Sequence, residues 1–266
     1  MMKKDTLYIA GGDGQKMKVL VRKNEIHKEK QTAILWIHGG GYLTGTASMV
    51  DVSCGKMLVE KYGGIVFSPG YRLSIFHPYP AALKDCYAAL NYLWDHSQEL
   101  NIDRNKIIVG GESAGGGLTA ALCLYARDKG KIKIAMQIPL YPMLDCMDTE
   151  SSKDNHGKVW NTRKNHLAWK LYLRKFNENE SPSYASVSRR KDYQDLPDCY
   201  SFVCEGEPFY SETKKYIKDL QKFGIRADID IYGGNVHAFD MMRPRSIQAL
   251  TAREKLCRGY EEYMGI

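Results

Sequence analysis

The sequence predicts an α/β fold: a mostly parallel central sheet with helices on both faces, carried by a single domain over residues 1–266. Three observations predict it. Short apolar, β-branched runs recur along the chain and alternate with stretches whose apolar residues fall at helical spacing. Several of those runs end in glycine-rich or polar turns, and in open parallel sheets ligands bind outside the carboxyl ends of the strands. Finally, 44% of the 266 residues are hydrophobic, enough to bury one large core.

The elements follow in order. A hairpin is expected from roughly Thr6 to Arg22, with a strand at Lys18 to Val21. Further strands are predicted at Ile34 to Ile37, Ile65 to Ser68, Ile107 to Val109, Ile134 to Leu140, Tyr200 to Val203 and Ile229 to Tyr232. Between them, Tyr79 to His96 places Leu83, Tyr87, Leu90 and Leu93/Trp94 on one helical face. The small, apolar stretch Gly116 to Leu124 suits a helix packed tightly on a sheet. Ser211 to Phe223 is a further helix, carrying Tyr216, Ile217 and Leu220 inward, with Gly224 as its stop.

The residues that could carry chemistry sit at the ends of these strands. Gly111-Glu112-Ser113-Ala114-Gly115 reads G-x-S-x-G between a strand and a helix, where a sharp turn would lift the Ser113 hydroxyl above the sheet. Glycines must flank the serine because a Cβ there would strike the neighbouring strand and helix. Upstream, the strand at Ile34 to Ile37 empties into His38-Gly39-Gly40-Gly41, whose side-chain-free backbone can turn N–H groups toward a developing negative charge. A dinucleotide fingerprint would need G-x-G-x-x-G and an acid about twenty positions on; Asp51 and Glu60 fit that poorly, and no cofactor is expected. The strand at Ile229 to Tyr232 leads into a loop carrying His237, and the strand at Tyr200 to Val203 leads to Glu205 and Glu207. The chain order is therefore serine, acid, histidine.

On these motifs the chain resembles the hormone-sensitive lipase family of α/β-hydrolases, in its microbial carboxylesterase and acetyl esterase branch. The resemblance extends from about residue 33 to about 240. It includes His38-Gly39-Gly40-Gly41 through Gly45, Tyr71-Arg72-Leu73, His77-Pro78-Tyr79-Pro80-Ala81-Ala82 with Asp85, the serine turn, the acid before Pro208, and His237-Ala238-Phe239. It implies the α/β-hydrolase fold and ester hydrolysis by a Ser113–His237–acid triad, with an oxyanion hole from the amides of Gly40, Gly41 and Ala114. The family's usual aspartate is replaced by Glu207, whose junction with proline favours it over Glu205. Glutamate can serve, since the acid has only to accept a hydrogen bond from the imidazole and stabilise its charged form. Tyr42 is a candidate wall of the substrate pocket, with simple packing as its alternative. His38 is expected to hold its loop by hydrogen bonding rather than to do chemistry.

From about residue 145 to 195 the composition turns polar, around an amphipathic pattern of Trp160, His166, Leu167, Trp169, Tyr172, Leu173 and Phe176. The position is that of a small helical cap insertion. The lead-in to His38 leaves little room for a second cap piece, so the cleft is expected to be open and to favour short acyl chains. The net charge is +7, but the basic residues are scattered, with small clusters at Lys28/Lys30 and Arg189-Arg190-Lys191, and no nucleic-acid partner is expected. Metal binding is not expected either, because the histidines lack ligand spacing. Seven cysteines without CxxC spacing suggest reduced packing residues in a cytoplasmic protein. No apolar run reaches membrane-spanning length, and the five-residue apolar stretch after Asp5 is too short for a signal-peptide core. The expected partner is a small-molecule ester, with a homodimer left open. Two other readings remain at this stage: an arylformamidase-like amide hydrolase, and a non-enzymatic receptor on the same scaffold.

Overall fold

The computed structural model describes residues 2–24, 30–176 and 181–266; Lys28 and the polar residues 177–180 lie outside them. The described residues form an eight-stranded sheet of order β1-β2-β4-β3-β5-β6-β7-β8. β1 (Lys3–Ala10) and β2 (Lys16–Asn24) make the expected antiparallel hairpin, and β2 pairs antiparallel with β4 (Gly64–Pro69). From β4 onward every pairing is parallel, through β3 (Gln31–Ile37), β5 (Ile102–Glu112), β6 (Met136–Leu140), β7 (Asp198–Cys204) and β8 (Ala227–Tyr232).

Both faces of the sheet are covered, as the continuous apolar strands require. In β3, Ala33, Leu35 and Ile37 enter one core with α2 (Ala81–Asp95), α3 (Ala114–Lys129) and α5 (Tyr210–Lys222). Ile34 and Trp36 alternate to the other face, against α1 (Cys54–Tyr62) and α7 (Ile247–Met264). The chain leaves β3 for β4 on one side and returns to β5 on the other. The crevice beyond β3 and β5 is therefore the switch point of the sheet, where ligands of such folds bind.

Several boundaries differ from the sequence reading. β5 begins at Ile102, because Gln31 pairs with Ile102 before a register shift resumes the ladder at Ala33–Ile107. β6 begins only at Met136, where its pairing with β5 starts. The amphipathic pattern between Trp160 and Phe176 yields the shorter helix α4 (Thr162–Tyr172). Asn161 is extended and its side chain accepts from Lys164 N, which starts the helix at Thr162, just after Trp160. Among the described residues, the rest of the segment 145–195 is irregular apart from a short 3-10 turn at Val187–Arg189.

Candidate active site

Ser113 occupies the turn between β5 and α3 with φ 58° and ψ −120°, a left-handed conformation that a non-glycine residue adopts only under constraint. Its neighbours supply that constraint. Ser113 N donates to Leu140 O at 2.9 Å, and Ser113 O accepts from Met143 N at 3.0 Å. The flanking glycines have no room for a side chain: a Cβ on Gly111 would lie 2.4 Å from Ile37 O, and one on Gly115 2.0 Å from the same oxygen.

His237 stands on the loop after β8. Its Nε2 lies 2.8 Å from Ser113 Oγ and its Nδ1 2.7 Å from Glu207 Oε2. The ring is fixed on two sides by edge contacts, with Tyr141 and Phe209 each at 5.1 Å between centroids. All three side chains are buried. Burial raises the Glu207 carboxyl above its ordinary value, and the adjacent imidazole pulls it back. Glu205 is exposed and engages the loop only through its backbone, donating to Tyr232 O. Asp240, a third carboxyl near the site, instead accepts from Tyr141 Oη at 2.7 Å.

The glycine turn after β3 lies against this arrangement. A Cβ on Gly39 would come 3.2 Å from Ser113 Cβ, while Gly40 and Gly41 take φ values of 114° and 61° that few other residues tolerate. Ala114 is the first residue of α3, where backbone N–H groups lack intrahelical acceptors and favour negative charge. His38 is buried, stacks on Tyr71 at 4.2 Å, and its Nδ1 bonds Gly39 O at 2.9 Å. Burial lowers its pKa to about 4 and keeps the ring neutral. It braces the turn, as the sequence suggests.

Tyr42 takes the packing alternative. Its ring stacks on Tyr172 at 4.0 Å, its hydroxyl donates to Met143 O, and it is 1% exposed, so it joins the turn to α4 from below. The aromatic side chain that lies over Gly41 is Trp160. Its ring meets the position a Gly41 Cβ would take, and lies 6.4 Å from the His237 ring. Glu112 is the variable position of the G-x-S-x-G motif before the serine. It is buried, its Oε2 accepts from Trp36 Nε1 at 2.6 Å, and burial pushes its pKa up to about 8.

Among the described residues no cluster of His, Cys, Asp and Glu could hold a metal ion, and no helix is long and apolar enough to cross a membrane. All seven cysteines are buried.

Comparison with known proteins agrees with this architecture. The family described as alpha/beta hydrolase fold matches residues 34–241, and the chain belongs to it, in the hormone-sensitive lipase branch. It is 28% identical over 229 residues to an arylesterase of Saccharolobus solfataricus, covering 85% of this chain and 74% of that protein. It is 27% identical over 208 residues to the esterase LipI of Mycobacterium tuberculosis, covering 77% of this chain but only 65% of LipI. Among solved structures, a bacterial heroin esterase superposes with a TM-score of 0.92 at 30% identity, covering 98% of this chain and 84% of that one. An esterase of Pyrobaculum calidifontis gives 0.89 at 28% identity, covering 98% and 83%.

Proposed function

We propose that this protein is a serine esterase that hydrolyses short-chain carboxylic esters. The observation that carries the reading is the continuous Glu207–His237–Ser113 relay, with both hydrogen bonds at 2.8 Å or less. Ser113 Oγ attacks the ester carbonyl while His237 Nε2 takes its proton and then delivers it to the leaving alcohol. Glu207 holds the imidazole in the tautomer with Nδ1 protonated and stabilises the imidazolium that forms. The amides of Gly40, Gly41 and Ala114 receive the oxyanion, each donor contributing roughly 3–4 kcal/mol in sites of this kind. Water activated by His237 then releases the acyl group and restores Ser113.

In this reading residues 145–195 form the cap within a single hydrolase domain, and Trp160 is the part of it that faces the glycine turn. The names of the esterase relatives, and the identity and coverage of the solved esterases, support the ester class. The buried thiols favour a reducing, cytoplasmic setting. The test is turnover of aryl acetate and butyrate beside an aryl formamide, by the wild type and Ser113→Ala. Ester turnover that Ser113→Ala loses by several orders of magnitude, with its fold intact, is expected. Faster formamide than ester turnover would reassign the substrate class.

A further inference from the structure

The loop that carries Glu207 is held by side chains from outside the strands. Asn155 Nδ2 donates to Gly206 O at 3.0 Å, and Ser151 Oγ donates to Pro208 O at 2.7 Å. The peptide carbonyls on both sides of Glu207 are thus anchored by residues of the 145–195 segment. Ser151 Oγ also accepts from Ser211 N at 3.0 Å, which ties the same point to the first turn of α5. Opposite, Gly206 N donates to Gly234 O at 2.8 Å and Glu205 N to Tyr232 O at 2.9 Å, joining the loop to the one that bears His237.

The anchors are themselves braced. Asn155 Oδ1 accepts from Gly157 N at 2.9 Å, and Asn155 N donates to Thr162 Oγ1 at 2.7 Å, at the start of α4. Thr162 Oγ1 in turn donates to Ser152 O at 2.6 Å. The segment therefore reaches the acid loop as a cross-linked unit.

We infer that Ser151 and Asn155 are positioning residues for the triad acid, coupling the seating of the cap segment to the alignment of His237. The inference rests on the reading of Glu207 as the triad acid. A productive constellation tolerates displacements of only about 0.5 Å. Glutamate carries one more rotatable bond than aspartate, so its carboxylate depends more heavily on a fixed backbone. Two anchored carbonyls on either side of it provide that. A purely structural role would instead move stability and substrate binding, while leaving the chemical step alone.

The experiment measures kcat, KM and Tm for Ser151→Ala, Asn155→Ala, the double variant, Ser151→Thr and Glu207→Gln on one short aryl ester. Each single alanine variant is expected to lower kcat about tenfold and the double about a hundredfold, with KM within about twofold, on the scale of misplaced catalytic groups. Ser151→Thr keeps a hydroxyl and should keep the wild-type kcat. If the double variant does not fold, the single variants and Ser151→Thr decide the matter alone. Alanine variants that change Tm or KM at wild-type kcat would overturn the inference while Glu207→Gln still inactivates. Wild-type kcat in Glu207→Gln would instead overturn the assignment of the acid.

Discussion

The indole of Trp160 packs against Gly41: a Cβ on that glycine would lie 2.1 Å from Trp160 Cη2. Trp160 Nε1 donates to Asn165 Oδ1 on α4 at 3.3 Å, which fixes the ring over the glycine turn. A bulky, tethered side chain therefore occupies space beside the proposed oxyanion site. The wild type should work best on acetate to butyrate esters and poorly on emulsified long-chain triglyceride.

Trp160→Ala should open that space and shift the optimum toward longer acyl groups. Each methylene newly enclosed adds about 0.8 kcal/mol, or about fourfold in kcat/KM. The check is kcat/KM for aryl esters from acetate to decanoate in both proteins. A wild-type maximum at eight carbons or beyond, or an unchanged profile in the variant, would contradict the role given to Trp160.

The two acids of the Glu205-Gly206-Glu207 loop should differ sharply. Glu207→Gln presents an amide donor to His237 Nδ1 and favours the wrong tautomer, with a loss of about 10³ to 10⁴ in kcat. Glu205 is exposed and bonds only through its backbone, so Glu205→Gln should stay within about threefold of wild type. Equal, small losses would point to another carboxylate.

Gly115 meets two backbone oxygens, Ile37 O and His38 O, at 2.0 and 2.6 Å from where its Cβ would be. Neither can rotate away. Gly115→Ala should destabilise the protein by about 2–3 kcal/mol or more, read from urea unfolding. A change below about 0.5 kcal/mol would mean that the turn is looser than described.

Glu112 gives stability a pH dependence. Between 4.5 and about 8 the unfolded chain has released the Glu112 proton, while the folded chain keeps it. Stability contributed by this group therefore falls as pH rises through that window and levels off above about 8. Relative to Glu112→Gln, which cannot ionise, the wild type should lose on the order of a few kcal/mol between pH 5 and pH 8. Urea unfolding of both proteins at several pH values tests this; a difference independent of pH would refute it.

Much of this was legible in the sequence, and the reason is local. A β-branched run followed by a glycine-flanked serine states strand, turn and helix within a dozen residues, and the flanking glycines at 111 and 115 are the positions where contact with Ile37 O forbids a side chain. The proline after Glu207 separated it from Glu205. Side-chain direction in irregular backbone was less accessible. Tyr42 follows the glycine run directly, yet it turns inward to Tyr172, a residue 130 positions away in the amphipathic pattern of the cap insertion. The grip of Asn155 and Ser151 on the acid loop likewise joins two segments without periodicity. Helix α7 places its buried residues, Ala249, Ala252, Leu256, Cys257 and Tyr260, at helical spacing, but only two of the five are large, which makes the apolar stripe faint in the sequence.

The role of Ser113 as nucleophile is tested most directly by the site of covalent modification by a small organophosphate, mapped by peptide mass spectrometry alongside residual esterase activity. A single adduct on Ser113, formed in step with the loss of activity and absent after His237→Ala, is the predicted result. An adduct on a different serine that tracks inactivation, or full esterase activity in Ser113→Ala, would contradict it.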